Sequence, residues 1–304
     1  MNSTLFVASE EKSKSVGILW GAELYNDENF PGKVLLGDLT SNIKLPKPSK
    51  SQNEIIRSAL RKLLFQDVNL NKDVVRQAAS GLNYFGVPYQ EEFDYFADRR
   101  IIDQKCKYIP FTYYPLEFIL RGNEKIKTNG NNILVGNSAN YTNNHLEVFR
   151  ILNKLGVEDR KIIVPLSYGD LQYGEYIYSE GLRLLRDNFV PLRTFIPLAE
   201  YTRKLQSCGI AIMNHYRQQA IGNILMMLWL GSKVYLSPSN TLYHYIKQIG
   251  IKVFSIDQDL VSDNPDALIN LSEGEANHNR IILKQEFSER VVVRRLRGSV
   301  LKYF

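Results

Sequence analysis

The chain has 304 residues, 44% of them hydrophobic and 23% charged, with 38 Lys and Arg against 32 Asp and Glu for a net charge of +6. That length suits about two domains that each bury a core, and no stretch offers the roughly 18 uninterrupted apolar residues of a membrane-spanning helix. The modest basic excess fits an anionic partner but does not by itself point to nucleic acid, while Cys106 and Cys208, without CxxC or His-rich context, exclude a zinc-ligand pattern and predict packed thiols.

Met1–Ser15 lacks a basic region followed by an apolar core, so no secretory signal is expected and the compartment is read as cytoplasmic. Val16–Leu19 is a plausible strand running into WGAELY at Trp20–Tyr25, followed by turn-rich sequence ending in KLPKPSKS. Ile56, Leu60, Leu63 and Leu64 give helical spacing over Ile55–Phe65, and Val74–Ala79 predicts a further short helix. A strand over Leu82–Val87, a helix over Gln90–Arg100 and a strand over Lys107–Tyr113 follow. The polar run GNEKIKTNGNN over Gly122–Asn132 then reads as a connection, dividing a lobe of residues 1–125 from one of residues 126–304.

Beyond it, short apolar runs alternate with helical segments, which predicts a parallel sheet in a doubly wound α/β domain. The strands are expected at Ile133–Val135, Ile162–Leu166, Val190–Phe195, Ile210–Met213, Val234–Leu236 and Val253–Ile256. The helices between them are expected at Asn144–Leu155, Glu175–Arg186, Leu198–Gln206, Gln219–Leu230 and Leu242–Ile249. Gly156, Gly231 and Gly250 suit left-handed C-terminal caps. The tail predicts one helix over Glu275–Glu289 and then a basic end.

Ligands of an open parallel sheet sit beyond the carboxyl ends of its strands, where four unusually polar loops fall. They contain Gly136, Asn137, Ser138, Asn143, Asn144 and His145; Ser167, Tyr168, Gly169 and Asp170, then Tyr173-Gly174-Glu175; Asn214 to Gln219; and Ser237 to Asn240. Asn143 or Asn144 can cap the first of the second-lobe helices, and His145 suits either a partial cap or a donor to phosphate or sugar; His215 is similar. Arg217 offers paired, directional hydrogen bonds to a pyrophosphate, with Gln218, Gln219, Gly222 and Asn223 beside it where helix amides point outward. No GxGxxG fingerprint or Walker sequence is present, and the first lobe offers no DxD-type pair at a strand end, so neutral donors and Arg217 would hold a diphosphate without metal. Met226–Leu230 reads as buried helix.

WGAELY, KYIPFTYYP at Lys107–Pro115, ILVGNSANYTNNH at Ile133–His145, IIVPLSYG at Ile162–Gly169 and RQQAIGN at Arg217–Asn223 together resemble the bacterial N-acetylfucosamine (4-acetamido-4,6-dideoxygalactose) transferases, the 4-alpha-L-fucosyltransferase family. The resemblance implies an α/β fold of the GT-B kind, two Rossmann-like lobes with the amino-terminal one truncated, since only about fifteen residues precede the WGAELY strand. It implies a peripheral glycosyltransferase at the cytoplasmic membrane face. The donor would be a dTDP-sugar held by the second lobe, and the acceptor an undecaprenyl-diphosphate-linked saccharide of surface polysaccharide such as enterobacterial common antigen or O-antigen. No cofactor, metal or nucleic acid is implied. Glu23 is the candidate base and Asp27 its reserve, both also readable as surface acids, while Trp20, Gly21 and Tyr25 would meet the acceptor. Arg290, Arg294, Arg295 and Arg297 either face anionic lipid or belong to a helix packed back on the first lobe. The competing reading is a non-catalytic nucleotide-sugar-binding or assembly protein.

Overall fold

The computed structural model describes residues 15–18, 23–25, 35–45, 72–112 and 114–303. The expected helix over Ile55–Phe65, together with Trp20, Gly21, Asp27 and the side chain of Glu23, lies outside the described residues.

Two parallel sheets organise the chain. The smaller holds β1 (Val16–Ile18), β2 (Tyr84–Val87) and β3 (Lys107–Pro110) in that order, with Phe85, Val87 and Ile109 buried. The helices α1 (Asp38–Ser41), α2 (Lys72–Ser80), α3 (Gln90–Asp98) and α4 (Leu116–Leu120) belong to this half of the sequence. β3 stops at Pro110, short of the expected Tyr113, and α4, which starts after Pro115, has too few periodic positions to be read from sequence.

The larger sheet contains β4 (Asn132–Val135), β5 (Ile162–Pro165), β6 (Phe189–Leu192), β7 (Cys208–Met213), β8 (Lys233–Leu236) and β9 (Phe254–Ser255). Their order is β6-β5-β4-β7-β8-β9, with every pair parallel, so the direction of winding reverses between β4 and β7. Alternate residues feed two cores, as the two-residue repeat of a strand requires. Ile133, Val135, Ile162, Val164, Ile210 and Ile212 face α5 (His145–Leu155) and α6 (Leu171–Leu185). Leu134, Ile163, Ala211, Met213, Val234 and Leu236 face α8 (Ile221–Leu230), whose Ile224–Leu230 are all buried. A helix apolar on all sides must be covered on all sides, and α4 and α11 (Glu273–Phe287) cover its outer face. The remaining crossovers are α7 (Leu198–Gln206) and α9 (Thr241–Gln248), and the short α10 (Ile256–Asp259) follows β9. Cys106 and Cys208 are buried free thiols, as expected.

Several boundaries differ from expectation for identifiable reasons. β6 ends at Leu192; it is an edge strand and so tolerates Pro191. α6 begins four residues early because the Asp170 carboxylate accepts the Tyr173 amide at 2.8 Å, which places Tyr173, Gly174 and Glu175 in the helix and not in a ligand loop. α8 starts at Ile221, two residues late, since Ala220 is left-handed at φ 57°. The tail forms two helices: a capping box of Ser272 and Glu275 starts α11, and extended Ser288 separates it from α12 (Glu289–Tyr303).

Three segments cross the division expected near residue 125, the first being α4, which covers α8. Thr40 donates its amide (2.8 Å) and hydroxyl (2.6 Å) to Glu147 of α5, so residues 35–45 pack on the larger sheet's helices. At the other end α12 returns to β3, where Tyr303 meets Tyr84 with ring centroids 5.1 Å apart.

Candidate functional site

In a sheet of this order the ligand crevice is expected at the winding reversal, at the carboxyl ends of β4 and β7, and the loops there are tied into one structure. Gly136 donates its amide to Ile212 (3.0 Å) across the two strands. Its φ is +66°, and a side chain there would come within 2.6 Å of Asn143 Oδ1 and 2.8 Å of His145 Nε2, so only glycine fits. Asn143 Oδ1 accepts from the Asn137 amide (2.8 Å) and from His215 Nε2 (2.9 Å). That fixes the proton of His215 on Nε2 and leaves Nδ1 a bare, buried acceptor. His145 shares a 3.0 Å hydrogen bond with the Tyr173 hydroxyl through Nδ1, while its Nε2 is likewise buried without a partner. Burial holds both imidazoles near pKa 3, aided at His215 by Arg217, so both are neutral.

Asn144 stands at the N-cap position of α5, but neither asparagine side chain makes a cap hydrogen bond. Asn143 holds the turn and Asn144, at φ 49°, accepts the Gly37 amide (2.9 Å) and donates to the Asn214 carbonyl (2.8 Å). His145 is not a cap either; it lies wholly inside the first turn of α5.

The expected ligand residues separate into two layers. Gly136, Asn137, Ser138, Asn143, Asn144, His145 and Gln218 form a buried framework. Ser167, Tyr168, Gly169, Arg217, Gln219, Gly222 and Asn223 lie outside it with solvent-accessible surface. Asn137 links the layers, donating to the Tyr168 hydroxyl (2.8 Å) and accepting from Gln219 (3.1 Å), which in turn accepts from Thr142 (2.7 Å). The Ala139 and Asp170 amides close a backbone bridge between the first two loops, at 2.8 and 2.7 Å. Gly169 is required there because a Cβ would stand 2.3 Å from the Ala139 carbonyl oxygen. Asn240 donates to the Arg217 carbonyl (2.8 Å) and thereby joins the loops after β7 and β8. At Gly222, in the first turn of α8, a Cβ would meet nothing within 4 Å. Around the crevice, then, is a rim of uncharged donors with the Arg217 cation beside an open helix start, an arrangement suited to a phosphorylated ligand.

Among the described acceptor candidates, Tyr25 has no free face. It is 2% exposed, its ring packs on Tyr95 and Phe96, and its hydroxyl donates to Glu92 at 2.7 Å. Glu23 opens the single 3-10 turn Glu23–Tyr25 that sets this position. Glu92, absent from the sequence-level candidates, is 0% exposed; it also accepts the Thr241 hydroxyl, and the Tyr89 hydroxyl lies 3.1 Å from that oxygen. In sequence it is one of two acids opening a helix, the ordinary complement to a helix dipole, so nothing marks it out. Tyr201 was also unmarked: the proximity of Asn223 and of the Tyr168 phenol puts it at the rim. Of the basic tail, Arg295 turns inward to Glu286 at 2.6 Å, whereas Arg290, Arg294 and Arg297 stay on the outer face of α12. Among the described residues no cluster of three His, Cys, Asp or Glu side chains is placed to hold a metal.

The family model described as 4-alpha-L-fucosyltransferase, glycosyl transferase group 56, matches residues 85–273, which takes in the whole larger sheet, β3 and most of β2 of the smaller one, the crevice loops and Glu92. Solved structures share the GT-B-like α/β fold. An alpha,alpha-trehalose-phosphate synthase (UDP-forming) from Burkholderia xenovorans in complex with glucose-6-phosphate is 9% identical at TM-score 0.55, covering 80% of this chain and 64% of its own. A trehalose-6-phosphate structure from E. coli bound with UDP-2-fluoro glucose is 12% identical at TM-score 0.55, covering 79% and 64%. The N-terminal domain of a Candida albicans trehalose-6-phosphate phosphatase is 11% identical at TM-score 0.52, covering 76% and 60%. The chain thus spans 60–64% of the length of these three structures.

Proposed function

This chain belongs to the 4-alpha-L-fucosyltransferase family, glycosyl transferase group 56, and from that premise we propose that it is a glycosyltransferase moving N-acetylfucosamine, or a related dideoxy amino sugar, from a dTDP-sugar to an undecaprenyl-diphosphate-linked saccharide. The observation that carries the donor half is the crevice rim: uncharged amides and hydroxyls around Arg217 and the start of α8, at the winding reversal between β4 and β7. The diphosphate would lie against Arg217, Gln219, Gly222 and Asn223, with Ser167, Tyr168 and Gly169 toward the nucleoside. As the glycosidic bond forms, negative charge grows on the departing diphosphate, and preset donors with a guanidinium lower that barrier.

The acceptor would enter from the smaller sheet, with the Glu23 carboxylate removing the proton of the attacking hydroxyl and Trp20 and Gly21 beside it. The lobes would divide near residue 125, apart from the three crossing segments. Arg290, Arg294 and Arg297, with exposed Val293 and Leu301 between them, form a basic and apolar face suited to anionic lipid, which supports a peripheral position on the cytoplasmic side of the inner membrane. Among the described residues no helix is long and apolar enough to cross a membrane.

Calorimetric titration with dTDP tests the donor site. Arg217→Ala should weaken binding about tenfold or more by removing a charge-assisted contact; unchanged affinity would remove Arg217 from the site. Release of dTDP from a dTDP-sugar in the presence of lipid-linked acceptor supports the transferase, whereas dTDP binding without turnover supports the non-catalytic reading.

A further inference from the structure

Glu92 is a fully buried carboxylate with no Lys or Arg in ion-pair contact among the described residues. Its partners are hydroxyls. Tyr25 donates to one oxygen and Thr241 to the other, and because the single Thr241 proton is committed to Glu92, the Tyr89 hydroxyl donates to Thr241. This arrangement suits the ionised form, in which both carboxyl oxygens accept. Thr241 follows Asn240, and Asn240 holds the backbone of Arg217; the Arg217 guanidinium in turn stands 5.9 Å from the Tyr25 ring. The carboxylate therefore meets the Arg217 loop from two sides, through Tyr25 and through Thr241-Asn240.

We propose that Glu92 is a positioning residue of the donor site, fixing the seam that presents Arg217 to a nucleoside diphosphate and taking up one proton from solvent when that diphosphate binds. The proposal rests on the nucleotide-sugar reading and deepens it. In the free protein the positive charge of Arg217 favours ionised Glu92; an arriving diphosphate claims that charge, and the carboxylate is left buried with hydroxyl partners alone. It then binds a proton, with no bond broken in the ligand. The groups acting on it are Tyr25 from the turn after β1, Tyr89 from its own segment, Arg217 from the loop after β7 and Thr241 from α9; Glu91 and Tyr95 stand beside Tyr89 and Tyr25 respectively, and Tyr245 stacks on Tyr89. Burial pushes Glu92 up to about 7, with Thr241, Tyr25 and Arg217 opposing the rise, so a modest change at Arg217 moves its titration through the neutral range.

The test is dTDP titration at about pH 8, where the ligand is fully ionised, in buffers of different ionisation enthalpy. The wild-type protein should take up roughly 0.3 to 1 proton per dTDP bound. Glu92→Gln should bind dTDP up to about tenfold more weakly and take up none. Uptake by Glu92→Gln equal to wild type, or wild-type binding without uptake, overturns the proposal while leaving the donor site standing; wild-type protein that binds no dTDP overturns the donor site itself. Tyr25→Phe keeps the carboxylate and removes one donor, so it decides the matter if the Gln variant does not fold. Its uptake maximum should move to higher pH, and an unmoved profile overturns the proposal.

Discussion

At the level of single residues the site depends on backbone geometry before charge. Gly136→Ala would add a methyl group at φ +66° into space held by Asn143 Oδ1 and His145 Nε2. Strain and displaced hydrogen bonds together should cost about 2 kcal/mol or more. Urea unfolding should show that loss, with dTDP affinity falling in parallel because the Asn137 and Asn143 bonds share the same turn; a stable variant with normal affinity would mean the turn is not needed. The buried histidines give a separate pH signature. Their folded pKa values, near 3, lie below the ordinary value of about 6.5, so the stability they contribute is present above about pH 6.5 and is lost as pH falls toward 3. Glu92 has the opposite sign: raised to about 7, it contributes stability below the ordinary carboxylate range that is lost as pH rises through 7. Unfolding free energy should therefore fall on both limbs, His145→Gln flattening the acid one and Glu92→Gln the neutral one. An unchanged acid slope in His145→Gln would show that its imidazole is charged in the folded protein. The sequence left both histidines open between cap and ligand because their burial comes from partners elsewhere in the chain, Tyr173 for His145 and Asn143 for His215.

At the level of elements, the strands of the larger sheet were legible because parallel strands covered on both faces are short continuous apolar runs, as in IIVP and CGIAIM. The start of α6 was not legible: Gly174 reads as a loop residue in LQYGEY, yet it is helical and lies where a Cβ would approach Ala139 Cβ to 3.2 Å. The basic end reads either as a lipid-facing segment or as a helix packed back on the first lobe, and VVVRRLRGSVLKY continues as α12. Its anchoring explains the outcome. Tyr303 and Tyr84 pack together, with Lys107 Nζ 5.4 Å from the Tyr303 ring centre, so one side of α12 faces β3 and the outer side keeps Arg290, Arg294 and Arg297. Replacing those three arginines by serine should lower binding to vesicles containing phosphatidylserine on the order of a hundredfold, with neutral vesicles little affected. Equal loss on both vesicle types would mean that apolar contact, not charge, holds the helix to the membrane.

At the level of the whole molecule, the two sheets meet through few side chains, and these also support the crevice. Tyr89, at the end of β2, stacks on Tyr245 of α9 with centroids 4.7 Å apart and bonds to Thr241, while Glu92 reaches Thr241 from the next turn. The order of the larger sheet follows from the alternation of strands and helices in sequence; this seam does not, because each of its residues reads locally as an ordinary helix-start or aromatic position. The smaller sheet has three strands and its own cluster around Phe85, Val87 and Phe96, whereas the larger is covered on both faces by helices. Weakening the seam should therefore loosen the smaller sheet first. Tyr89→Ala removes a buried ring and the donor to Thr241, a loss of about 3 kcal/mol or more. Amide exchange should accelerate in β2, β3 and α3 while β4, β7 and β8 keep their protection, because the larger sheet retains both cores when the seam opens. Uniform acceleration across all nine strands would show instead that the sheets unfold as one unit, in which case the seam transmits stability as well as position and Arg217 cannot shift relative to Glu92 without global unfolding.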